Sequence, residues 1–164
     1  MGKRCFTCCI VIFIIAAVIV GALGFAVAYV PGATKLVEKF TSQGLIAVYV
    51  GADGETAGTD AGFQTAAAIL LASYTSTYPD VTFEGIVIFL SETEGAEEPE
   101  IIGYIVYTDS IKSAALMVAK FYQENGEPSS IDSPEGTDIH ASLRGKAYFI
   151  GNMSAEIAFR KIIF

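Results

Sequence analysis

Apolar positions follow two different patterns along this chain. From Cys5 to Val30 it reads CFTCCIVIFIIAAVIVGALGFAVAYV, apolar on every side of any helix it forms. At about 1.5 Å per residue such a helix is roughly 39 Å long, and a hydrocarbon core of about 30 Å needs only about 20 residues. The run predicts a single transmembrane helix, and Pro31-Gly32 supplies its stop. Beyond it, short periodic segments alternate with turn signals. Ala33 to Phe40 predicts a short helix burying Leu36, Val37 and Phe40. Leu45 to Val50 predicts a buried strand. Gly51 to Gly58 reads as a Gly- and acid-rich loop. Asp60 is placed to cap a helix over 61–77, with Phe63, Ala66, Leu70 and Tyr74 at helical spacing.

Val81 to Leu90 predicts a strand covered on both faces over its second half. Val81, Phe83, Val87 and Phe89 share one face, and Ile86, Ile88 and Leu90 the other. After an acidic turn region, Ile101 to Thr108 predicts a strand that pairs with it. Asp109 or Ser110 caps a helix to about Glu124, with Ile111, Ala114, Ala115, Val118 and Tyr122 as its stripe. Asn125-Gly126 stops it. Ile139 to Leu143 and Lys146 to Ile150 read as strands. The end reads either as a short helix capped by Ser154 or as a strand over Ile157 to Phe164. The expected class is α+β: the transmembrane helix, then a small antiparallel-sheet domain in β-α-β-β-α-β order. That order is ferredoxin-like, with two helices on one face. The other face needs a cover: the segment after the span, the C-terminal segment or a partner.

Charge sharpens the division. The 164 residues are 52% hydrophobic with a formal net charge of −8, yet residues 5–34 carry no charged side chain. All 18 acidic residues lie beyond position 33. The chain therefore divides into 1–32, a short cytoplasmic N-terminus with its membrane span, and 33–164, an acidic extracytoplasmic domain. Lys3 and Arg4 set that orientation by the positive-inside rule. The acidity disfavours nucleic acid as a partner. The competing reading of the apolar run is a cleaved signal peptide ending at Ala26-Val27-Ala28. As an apolar N-terminal helix the run also resembles a pilin-type segment, which implies a processed filament or adhesin subunit. It departs from that pattern in having Arg4-Cys5-Phe6 where a Gly-Phe junction stands, and in lacking the Glu that follows.

Candidate chemistry is sparse. Asp53, Glu55 and Asp60 could hold a Ca²⁺ through hard oxygen ligands, although their spacing is not that of an EF-hand. Glu92, Glu94, Glu97, Glu98 and Glu100 form a second acidic cluster. Cys5, Cys8 and Cys9 are palmitoylation candidates beside the span. Asn152-Met153-Ser154 is a glycosylation sequon at Asn152. Ala16, Ala17, Gly21, Ala22 and Gly24 offer small surfaces for contact with other membrane helices. The lone His140 stands near Ser142 without a triad pattern. Tyr104, Tyr107, Phe121, Tyr122, Tyr148 and Phe149 read as core. No cofactor motif is present. The expectation is a single-pass accessory or structural subunit of a membrane assembly, partnered by the bilayer and other subunits. A processed filament subunit and a membrane-anchored ligand- or Ca²⁺-binding sensor are the alternatives.

Overall fold

A computed structural model describes residues 29–91, 99–125 and 139–163. The elements are α1 (Ala33–Ser42), β1 (Ile46–Gly51), β2 (Thr56–Ala57), α2 (Ala61–Thr77), β3 (Phe83–Ser91), β4 (Glu100–Thr108), α3 (Ile111–Asn125), β5 (His140–Arg144), β6 (Ala147–Gly151) and α4 (Met153–Ile163). Six strands form one antiparallel sheet in the order β2-β1-β3-β4-β6-β5. The mixed α+β class is as expected. Among the described residues no helix is long and apolar enough to cross a membrane. The candidate span lies outside them except for Tyr29 and Val30.

The ferredoxin-like order is not what the sheet shows. That order requires the first strand to run parallel to the strand after the helix, whereas β1 and β3 are antiparallel neighbours. The reason is β2, two residues inside the Gly-rich loop, which pairs Tyr49 with Ala57 and Val50 with Thr56. β2 and β3 both flank β1, and α2 joins them. β4 and β5 both flank β6, and α3 joins them. Each half is thus a split β-α-β unit around its own central strand.

Helices cover both faces. On one face Val48, Val50, Ile86, Ile88, Val106, Tyr148 and Ile150 pack against Ala67 and Leu71 of α2 and Ala114 and Met117 of α3. On the other, Tyr49, Val87, Phe89, Ile105, Tyr107 and Phe149 pack against Leu36, Val37 and Phe40 of α1 and Ala155 and Phe159 of α4. The segment after Pro31-Gly32 and the C-terminal segment together supply the second cover. The end of the chain is a helix, capped by the Asn152 carboxamide oxygen, which accepts from Ala155 N at 2.8 Å. Ser154 lies inside it.

Three predicted faces shift. Phe63, Leu70 and Tyr74 of α2 pack against the core as expected, but its buried positions are Ala67 and Leu71, because Ala66 to Leu71 is apolar throughout and carries no contrast to mark a face. In α3 Met117 is buried while Ile111 is exposed. Val81 and Phe83 join the face of Ile86, not that of Val87. The extra residue Glu84, between the pairs Phe83–Thr108 and Gly85–Tyr107, is a bulge that reverses the alternation. Asp60 caps α2 as expected, accepting from Gly62 N at 2.9 Å and Phe63 N at 3.1 Å.

A row of phenylalanines crosses the second face. Phe40 of α1 stacks on Phe89 of β3 at 4.5 Å, Phe89 on Phe149 of β6 at 5.9 Å, and Phe149 on Phe159 of α4 at 5.5 Å. β4 lies between β3 and β6, and the row passes over it at Gly103. A Cβ there would meet Phe89 Cζ at 2.8 Å and Ile150 O at 3.1 Å. At the sheet edge, the Tyr122 hydroxyl donates to Ala141 O at 2.6 Å and accepts from Ala141 N at 3.2 Å. One side chain thereby satisfies an outward backbone pair of edge strand β5.

Gly103→Ala is expected to lower stability by about 1–3 kcal/mol through overpacking of the Phe89 ring, read from the urea midpoint. Tyr122→Phe is expected to cost about 1–2 kcal/mol in the same measurement, because Ala141 loses the partner of both its backbone groups.

Candidate functional site

Most of the chemistry gathers where β4 and β5 begin and β6 ends. Gly103 lies opposite Gly151, which lies opposite His140. A second bulge, at Ile102, separates the pairs Phe89–Gly103 and Leu90–Ile101. Its carbonyl accepts from Asn152 N at 3.2 Å, which turns the chain out of β6 and into α4. Between this bulge, the end of β6 and the end of α3 lies a half-open cleft of about 480 Å³. Ile101, Ile102, Ile139 and Ile150 give it aliphatic walls, and Tyr104 and Phe121 aromatic ones. Glu100, Asn125 and Asn152 supply its polar groups. The volume lies within the small-ligand range of roughly 300–1,000 Å³. Ile101 and Ile139 remain 49% and 60% exposed at its mouth.

Tyr104 is shared between the cleft and a tyrosine cluster on the α2–α3 face. Its hydroxyl is 2.9 Å from that of Tyr74, whose ring also lies against Tyr78, Phe83 and Tyr148. Burial pushes the Tyr74, Tyr104 and Tyr148 hydroxyls up, so they stay protonated and neutral.

Across the sheet, an ion cluster joins β5 to α4. Alternation along β5 turns His140, Ser142 and Arg144 to the α4 side, and Ala141 and Leu143 to the α3 side. Glu156, 4% exposed, accepts from His140 Nε2. Arg160, one helical turn on, donates to Glu156 Oε1 from Nη2 at 2.7 Å and Nε at 3.1 Å. Arg144 Nη2 stands 3.9 Å away. Arg144 Nε and Ser142 Oγ are buried without a hydrogen-bond partner among the described residues. Burial pushes the Glu156 carboxyl up. The Arg160 guanidinium and His140 imidazole more than offset this and hold it below its ordinary value. The arrangement is a strap that fixes α4 to the edge strand. His140 is engaged by a carboxylate there, and its recorded hydrogen bond is not to Ser142.

Few of the residues singled out from sequence lie in these places. Asn152 lines the cleft and caps α4. Glu100 lines the cleft, whereas the rest of its acidic cluster lies outside the described residues. Asp53 accepts from Glu55 N at 3.0 Å, and Asp60 caps α2. Among the described residues no group of three or more His, Cys, Asp or Glu side chains is placed to hold a metal ion. Cys5, Cys8, Cys9 and the small residues Ala16, Ala17, Gly21, Ala22 and Gly24 lie outside the described residues. The six aromatics divide: Tyr104 and Tyr148 of the sheet and Phe121 and Tyr122 of α3 pack together on one face, whereas Tyr107 and Phe149 face α1 and α4. Glu156 was not singled out. The signal that could have found it is the i, i+4 pair with Arg160.

No protein-family model matches this chain, and neither any curated protein nor any solved structure matches it. Its function is therefore read from its own residues.

Glu156→Gln is expected to destabilise the domain by about 3 kcal/mol at neutral pH, because the basic groups around it lose their buried counter-charge. The folded-state carboxyl lies below its ordinary value of 4.5, so its contribution is fully present above 4.5 and is lost as pH falls through the lowered value. Unfolding midpoints taken across the acid range should show a steeper loss in the parent chain than in Glu156→Gln.

Proposed function

We propose that this chain is a single-pass, membrane-anchored accessory or structural subunit, non-enzymatic, with the acidic α+β domain held outside the membrane. The observation that supports it best is the junction at Val30 and Pro31. The Tyr107 hydroxyl donates to Pro31 O at 2.9 Å, a buried bond between positions 76 apart. Val30 and Ala33 pack against the α1–α4 face of the core, and Leu36 and Phe40 are fully buried. The last residue of the apolar run thus packs on the folded core. A flexible tether would permit reach, whereas a span that ran up to Val30 would hold the domain close to the bilayer. Such a placement suits a subunit that caps or braces neighbours in a membrane assembly.

A second reading has its own support. Removal of a signal peptide after Ala28 would leave Tyr29 onward, and with it every contact just described. The product would be a secreted or filament subunit. The Ca²⁺-sensor alternative finds less support, since Asp53 and Asp60 each spend a carboxylate oxygen on backbone N–H groups.

The deciding experiment is expression of the full chain, alkaline carbonate extraction of membranes, and intact-mass measurement. The expected outcome is retention in the pellet with a mass that includes residue 1 or 2. Release into the supernatant, or a mature chain beginning near Tyr29, would overturn the anchored reading.

A further inference from the structure

We infer that the domain stands on one end of its sheet at the lipid headgroups, with the cleft at the opposite end facing away from the bilayer. This rests on the anchored reading above and adds the surface that meets lipid.

The position of Pro31 decides which end is near. Tyr107, which holds it, lies opposite Gly85 of β3 and Ala147 of β6. Gly85 lies opposite Gly51 of β1, and Ala147 opposite Arg144 of β5. These residues form one row across the sheet, from β1 to β5. The β1–β2 loop carrying Asp53 and Glu55 projects past that row, as does the Gly145-Lys146 turn. Val30 is the last residue of the apolar run, so a span ending there brings this row to the bilayer surface. Only Pro31 and Gly32 separate that residue from α1.

The opposite row holds the cleft. Ile101 and Leu90 are partners there, as are Gly151 and His140. From Tyr107 to Glu100 is seven residues of strand, roughly 23 Å at about 3.3 Å per residue. α1 leaves the Pro31 end and runs the length of the sheet before β1 returns from Ile46 to Gly51. The strands therefore run between the anchored end and the cleft end.

Charge is consistent with headgroup contact confined to the near end. Exposed Lys35 begins α1 there, and Lys146 pairs with Glu84 beside the β5–β6 turn. Asp53, Glu55 and Asp109 lie at the same end, so it presents mixed charge to the headgroups. Beyond position 33 the chain carries 18 acidic against 8 basic residues, which opposes broad contact with an anionic leaflet.

The chain has no cysteine after Cys9, which makes site-specific labelling direct. Full-length protein with Cys5, Cys8 and Cys9 replaced by Ser receives a single cysteine, as Lys146→Cys or Ile139→Cys. Both positions are substantially exposed. Each is labelled with an environment-sensitive fluorophore and reconstituted into phosphatidylcholine vesicles containing a headgroup-nitroxide lipid. Urea midpoints matching the unlabelled parent establish that both variants fold. The expected result is quenching severalfold greater at position 146 than at position 139. Equal quenching, or stronger quenching at 139, would overturn the inference while leaving the anchor intact. If the protein fails to float with the vesicles, the anchored reading itself fails.

Discussion

The row of four stacked phenylalanines across Gly103 is the contact on which the rest of this fold depends. Two of its rings belong to strands that do not touch each other, and they meet because the intervening strand presents a glycine. The outer two belong to α1 and α4, the first and last helices of the domain. Chain ends far apart in sequence are thus fastened to the same sheet face. All four rings are fully buried, so the row also seals the sheet from water on that side. Without it the sheet would expose Val87, Phe89 and Ile105, and α1 would have no seat.

That seat is what gives the N-terminal junction its meaning. α1 is pinned by Leu36, Val37 and Phe40, and the chain just before it by the Tyr107 hydroxyl. Burial pushes that hydroxyl up, so it remains a protonated donor. Val30, the last residue of the apolar run, packs on this same face. The proposed role draws on that contact together with the absence of charge from 5 to 34. At the other end of the strands, bulge, helix cap and ion cluster converge on a few residues. Asn152 ties β6 to α4, and Glu156 ties α4 to β5. The cleft is the space these turns leave beside α3.

The α1, β1, β3, β4, β5 and β6 segments and the cap of α2 were legible because each rests on local chemistry. Apolar spacing, an Asp before a helix and glycine-marked turns act within a few residues. The buried stripe of α1 was read residue for residue. β2 was not legible, because two residues carry no periodicity and exist as a strand only through pairing with β1. The side of Phe83 was misread because a bulge is invisible to strict alternation. The helix faces of α2 and α3 were blurred by apolar residues on several sides. His140 looked isolated because its partner, Glu156, lies 16 residues on.

The sequence alone determined the division of this protein into an uncharged N-terminal stretch and an acidic domain, and the mixed α+β class of that domain. Those properties are sums over neighbouring residues and need no knowledge of where the chain returns. Only the tertiary structure decided the strand order, the covering of the second face by the two terminal helices, and the end of the sheet that holds Pro31. These depend on contacts between residues far apart in sequence, 76 positions in the Tyr107–Pro31 bond and more between α1 and α4, and the hydrophobic effect that drives them is non-directional. It demands that both faces of β3 and β4 be covered without naming the segment that covers them. Ring geometry and a missing Cβ at Gly103 make that choice, and they act only once the strands are side by side.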